Sequence, residues 1–137
     1  MNTNYTNGEV KEDGKLIYPE LSYILTGICF DTHNASGRFA REKQYCDLIE
    51  QKLKEKKISY IREFDIGNGN IVDFVVEDKV ILEAKAKRLV EREDFYQLQR
   101  YLQFSGKRLG LLVNFRNRYL KPTRIIRIDT DARKKFN

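Results

Sequence analysis

Apolar residues recur along this chain with two periods, and the switches between them mark out its elements. Leu21, Ile24, Leu25 and Ile28 fall at helical spacing, which predicts an amphipathic helix over residues 21–34. Asn34, Ala35, Ser36 and Gly37 follow, a cluster whose local hydrogen bonding and glycine favour a turn. A second helix is predicted over residues 39–57, with an apolar stripe of Phe39, Cys46, Ile49 and Leu53 widened by Tyr45 and Leu48. Glu42 falls on that stripe, three residues after Phe39 and four before Cys46.

The pattern then shifts toward strands. Residues 58–66 are a strand candidate ahead of the turn Gly67-Asn68-Gly69-Asn70. Two short β-branched runs, 71–76 and 80–86, are joined by Glu77, Asp78 and Lys79 and predict a hairpin. Residues 91–105 predict a helix with Phe95, Leu98 and Leu102 inward. An apolar strand over 108–115 and a short one over 124–128 complete the order α-α-β-β-β-α-β-β. That order predicts an α/β fold with a central mixed β-sheet flanked by helices.

The hairpin carries charge among its apolar residues. Side chains alternate faces along a strand, so Glu83 and Lys85 share one face while Leu82 and Ala84 take the other. If Glu77, Asp78 and Lys79 form the loop, Val76 pairs with Val80 and Asp73 falls directly opposite Glu83. A slip of one residue destroys that coincidence. Opposed carboxylates repel by some tenths to ~1 kcal/mol even when exposed, and burial raises the cost. Lys85 offsets one charge. The remainder suits a hard divalent cation with oxygen ligands, or a salt-bridge ladder of Asp73, Lys85 and Glu83 on a solvated face. Gln97 and Tyr101, four apart on one helix face, and Glu42 each fit ordinary amphipathic packing. Their joint order along the chain weighs toward the cation.

Composition narrows the class. A length of 137 residues suits one domain around one core. With 41% hydrophobic and 34% charged residues, the chain reads as globular rather than disordered. No apolar run approaches the ~20 residues of a membrane span, and the N-terminus lacks the basic-then-apolar layout of a secretory signal. The expected location is cytoplasmic. Cys29 and Cys46 have no metal-ligand spacing, which agrees with buried, reduced thiols. His33, the one histidine, sits at a helix end and is expected to cap or pack. The expected layout is a flexible lead-in over 1–15, one domain over 16–130 and a basic tail over 131–137. A formal charge of +6 favours a polyanionic partner.

The ordered set of Glu42, Asp73, Glu83-Ala84-Lys85 and Gln97 to Tyr101 resembles the PD-(D/E)XK nuclease superfamily, and within it the small GxxExxY proteins. Further residues carry the likeness: Phe30 to Asn34, Gly37, Tyr45, Val72, Phe74, Lys79 to Leu82 and Gly110 to Phe115, so that it spans about residues 21–128. The chain departs from the pattern at Phe39, where a glycine is expected, and at Val72, which stands in place of proline. The loop between the first two predicted strands is also short.

This resemblance implies a restriction-endonuclease-like core and a metal-dependent nuclease hydrolysing phosphodiester bonds of DNA. It implies Mg²⁺, with Mn²⁺ substituting, held by Asp73, Glu83 and the Ala84 carbonyl, with Glu42 completing the site or holding a second ion. Lys85 would orient or help deprotonate the attacking water, Gln97 would hydrogen-bond near Lys85, and Tyr101 would buttress a ligand or contact phosphate. Candidate phosphate contacts are Arg41, Lys87, Arg88, Arg100, Lys107 and Arg108, with Arg116, Arg118, Lys121, Arg133, Lys134 and Lys135 further afield. Two rival readings stay open: a Holliday-junction resolvase-like homodimer, and a non-catalytic nucleic-acid-binding module with the nuclease fold.

Overall fold

A computed structural model of the chain describes residues 11–12 and 15–129. The tail expected over 131–137, with Arg133, Lys134 and Lys135, lies outside the described residues, as does most of the lead-in. Within the lead-in, β1 (Lys11–Glu12) pairs antiparallel with β2 (Lys15–Leu16). The predicted order then follows: α1 (Pro19–Ser36), α2 (Glu42–Glu55), β3 (Tyr60–Asp65), β4 (Ile71–Val76), β5 (Val80–Lys85), α3 (Arg92–Ser105), β6 (Leu109–Asn114) and β7 (Thr123–Ile126).

Local chemistry sets the ends of the helices. Pro19 stands in the first turn of α1, where its missing N–H costs nothing. Gly37 closes that helix at φ +75°, donating its N–H to the His33 carbonyl at 2.8 Å. Gln44 Oε1 accepts the Arg41 N–H at 2.8 Å at the start of α2, and Asp94 Oδ2 accepts the Glu91 N–H at 2.7 Å at the start of α3.

β3 to β7 form one mixed sheet in the order β3-β4-β5-β6-β7. Only β5 and β6 run parallel, joined by the crossover through α3. The predicted hairpin register is the observed one, with Val76 opposite Val80 and Phe74 opposite Leu82. One face of the sheet presents Phe74, Leu82, Ala84 and Val113 to α1 and α2, which contribute Leu25, Ile28, Tyr45, Ile49 and Leu53. The opposite face presents Val75, Ile81, Leu112 and Ile125 to Leu98 and Leu102 of α3. Cys29 and Cys46 are buried free thiols, and burial pushes both up to about 12.

Two helix faces differ from the apolar pattern. The buried face of α1 is Ser22, Leu25, Ile28, Cys29 and Thr32, whereas Ile24 is 39% exposed. Two hydroxyl residues line the inward face, so hydropathy alone places the stripe a few tens of degrees off. The second helix begins at Glu42 rather than Phe39, and Phe39 lies in the connecting loop, 74% exposed. Glu42 is thus an exposed first-turn residue and intrudes on no buried stripe.

Gly110 lets α3 approach β6. A Cβ there would lie 2.9 Å from Leu98 Cγ, closer than packed side chains tolerate. Gly110→Ala is expected to destabilise the fold by about 1–3 kcal/mol through overpacking, read as a lower urea midpoint with an unchanged slope. An unchanged midpoint would mean that Leu98 swings aside freely.

Candidate active site

At Asp73 the sheet comes apart on both sides. The β3–β4 register passes from Arg62 opposite Phe74 to Phe64 opposite Val72, with no Glu63–Asp73 pair between them. The β4–β5 pairing stops at Phe74 opposite Leu82, one position short of Asp73 and Glu83. Glu63 adopts φ +52° inside β3, a left-handed conformation costing a non-glycine residue of order 1–3 kcal/mol. Val72 and Phe74, two apart, accordingly pack in the cores on opposite faces of the sheet, where a regular strand would place them together.

Side-chain oxygens fill the break. Glu83 Oε2 accepts the Asp73 N–H at 2.7 Å, and Asp73 Oδ2 accepts the Ala84 N–H at 2.8 Å. The two carboxylates therefore face each other across the hairpin, as its register requires. Glu83 is buried and Asp73 half-buried. Within a strand the N–H and C=O of one residue point the same way, so the Ala84 carbonyl is aimed at the same gap as its N–H.

The electrostatics follow from burial. Glu83 is pushed up to about 8, by desolvation first and the Asp73 charge second, against the pull of the Asp73 N–H and Lys85. Asp73 is also raised, by desolvation and by Glu42, with the Ala84 N–H, Lys85 and Arg62 opposing. Tyr101 is raised by burial and then by the Glu83 charge.

Lys85 shares the Glu83 side of β5 and points to α3, its Nζ 3.5 Å from Gln97 Oε1 and 4.0 Å from Asp94 Oδ1. Asp73, Glu83, Lys85 and Gln97 thus come together near the C-terminal end of β5, with Tyr101 one turn along α3 from Gln97. Glu42 stands apart: its Oε2 accepts the Ala86 N–H at 3.3 Å. Among the described residues no three His, Cys, Asp or Glu side chains form a metal-holding group by themselves.

The cations divide in a way the sequence did not reveal. Lys87 Nζ bonds Asp94 at 2.9 Å and Glu91 at 3.5 Å, pinning the start of α3. Lys107 pairs with Asp78 at 2.6 Å, and Lys107 and Arg108 precede β6, at the end of the sheet away from Glu83. Arg108 lies over the Tyr18 ring. Arg41, Arg88 and Arg100 are exposed.

Four further residues shape the site. Asn114, buried in β6, accepts the Lys87 N–H at 3.1 Å and donates to the Lys87 carbonyl at 2.8 Å, clamping the chain just past Lys85. Its one sequence signal is an amide in an otherwise apolar strand. Arg62, paired with Asp47 at 2.7 Å and Glu50 at 2.9 Å, lends positive potential to Asp73; only folding brings it there. Tyr45 stacks on Phe115 at 4.3 Å, donates to the Gly37 carbonyl at 2.6 Å and accepts the Ala40 N–H at 3.1 Å. It thereby holds the loop that presents Glu42. His33 packs near Phe115 and contacts the Asn117 carbonyl at 2.9 Å, a packing role as expected.

Comparison with known proteins agrees with this geometry. A family model described as the PD-(D/E)XK nuclease superfamily matches residues 19–128. No curated protein and no solved structure gives a significant match.

Because Glu83 rises from an ordinary 4.5 to about 8 on folding, its contribution to stability is full below about 4.5 and lost as pH rises toward 8. In a chelating buffer the melting temperature is expected to fall between pH 5 and 8 by this contribution, and Glu83→Gln should flatten the slope. Equal slopes for the two proteins would refute the burial argument.

Proposed function

The chain belongs to the PD-(D/E)XK nuclease superfamily, and from that premise we propose that it hydrolyses phosphodiester bonds of DNA with Mg²⁺ or Mn²⁺. The observation that carries this reading is the break in the sheet at Asp73. A salt-bridge ladder on a solvated face needs no such break, and it would leave neither Glu83 buried nor the strands parted.

The donor set suits a hard cation. Asp73 and Glu83 each commit one oxygen to a backbone N–H, and their second oxygens and the Ala84 carbonyl would hold the ion. Two carboxylates with a carbonyl leave the remaining positions to water and substrate phosphate, the habit of Mg²⁺ rather than of a closed cage. Bound there, the ion would polarise the scissile phosphate and lower the pKa of a water.

The chain's own groups supply the rest. Lys85, steadied by Gln97 and Asp94, presents an ammonium to orient the attacking water and stabilise negative charge at phosphorus. Tyr101 is assigned to buttress a ligand or to contact a phosphate oxygen. Glu42 adds a third negative charge at the rim, close enough to raise both Asp73 and Glu83. Arg41, Arg88 and Arg100 supply phosphate contacts that position the backbone without reading sequence.

Purified protein is expected to convert supercoiled plasmid to nicked or linear forms with Mg²⁺ and not with chelator. Asp73→Ala and Lys85→Ala should each lower the rate by about 10²-fold or more, with circular dichroism unchanged. Cleavage that survives chelation, or that Asp73→Ala leaves intact, would overturn the assignment.

A further inference from the structure

The loop that leads into Glu42 carries an aromatic ring that joins neither core. Phe39 is 74% exposed in the α1–α2 loop. Arg38 and Arg116 lie 4.8 and 5.6 Å from its ring centroid. The next turn repeats the pairing, with Arg118 5.4 Å from the ring of Tyr119, itself 78% exposed. Single exposed apolar residues are ordinary on protein surfaces. Two aromatics, each attended by arginine on adjoining loops, are a different matter.

Those loops are tied together and to the active site. Arg38 Nε donates to the Arg116 carbonyl at 2.9 Å, and His33 joins α1 to Asn117. Arg116 Nη2 reaches the Ala86 carbonyl at 3.5 Å, and the Ala86 N–H bonds Glu42. The ring is therefore linked through Arg116 to Ala86, the residue that follows Lys85.

The arginines are short of partners. Among the described residues no carboxylate lies within salt-bridge distance of Arg38, Arg116 or Arg118. Arg116 makes one long hydrogen bond and buries its Nε with no acceptor, a costly arrangement for a guanidinium group. Two clustered guanidiniums repel one another, and an incoming anion would relieve that repulsion.

We infer that Phe39, with Arg38 and Arg116, forms a stacking platform for an unpaired nucleobase next to the scissile phosphate, so that the substrate is DNA with a single-stranded stretch, such as a flap, a bulge or a free strand, rather than uninterrupted duplex. The inference rests on the nuclease reading of the neighbouring site and adds the substrate class. Chemistry favours a base over other flat groups. A cation–π contact at an exposed ring is worth about 0.5–1 kcal/mol, whereas base–aromatic stacking is worth about 1–3 kcal/mol. A base can therefore displace a guanidinium from the ring, and the freed arginine turns to the adjacent phosphate. In continuous duplex every base is already stacked, and the ring has nothing to receive.

The test is fluorescence anisotropy in EDTA, with a labelled single-stranded oligonucleotide and the blunt duplex of the same sequence. Phe39→Ala should weaken single-strand binding about 5- to 150-fold and change duplex binding less than twofold, while Phe39→Trp restores it. Arg116→Ala should weaken both and lower the salt slope of single-strand binding by about one. Equal losses on both probes, no loss on either, or no binding to any DNA would overturn the platform. Because no hydrolysis is measured, the two assignments fail separately. Single-strand binding through Phe39, with neither plasmid nor a flapped oligonucleotide cleaved in Mg²⁺, would sink the nuclease and keep the platform. Plasmid cleavage with Phe39→Ala silent in anisotropy would do the reverse.

Discussion

A carboxylate pair in which Glu83 takes the backbone N–H of Asp73, and Asp73 takes that of Ala84, is the interaction on which this architecture turns. In an ordinary hairpin Asp73 and Glu83 would be joined through carbonyls. Here Glu83 Oε2 and Asp73 Oδ2 stand in for them, and the strands separate. The exchange satisfies buried donors and fixes both side chains, but it brings two negative charges into a desolvated gap. Lys85 on one side and Arg62 on the other lower the cost without removing it, and both carboxylates stay raised by burial and by neighbouring negative charge.

Around this pair the fold supplies a frame built from distant segments. Asn114 fastens the backbone after Lys85 to β6, and Asp94 holds Lys87 at the head of α3. Tyr45 gathers the α1–α2 loop through two hydrogen bonds, each worth about 0.5–1.5 kcal/mol net. These residues touch no substrate in the mechanism. They set where Glu42, Lys85 and the arginine-bearing loops stand relative to the gap, a placement that catalysis requires to within fractions of an ångström.

Much of this was legible before folding, and the reasons are physical. The hairpin register followed from a three-residue loop and the strict alternation of strands, so Asp73 was expected opposite Glu83 and lies there. Helical spacing likewise put Gln97 and Tyr101 on one face. Other parts left no periodic trace. Phe39 reads as helix core by hydropathy and is instead loop surface, because spacing cannot tell an apolar loop residue from the first turn of the helix that follows. Lys87 reads as a phosphate contact and is engaged by Asp94 and Glu91, since charge counting does not see partners brought together by folding. Arg62 and Arg116 owe their surroundings to tertiary structure alone. The left-handed Glu63 has no signature at all, as glutamate is a poor marker of positive φ.

That same distortion reaches beyond chemistry. β3 is the outer strand of the sheet, and among the described residues no strand pairs with its far side, which could recruit another chain. A flat, regular border of this kind is a template for aggregation. Glu63 bends it midway and puts charge on it, so a would-be neighbour finds its hydrogen-bonding pattern interrupted after three residues. The irregularity that opens the gap at Asp73 thus also guards the border of the sheet, and ironing it flat would threaten solubility.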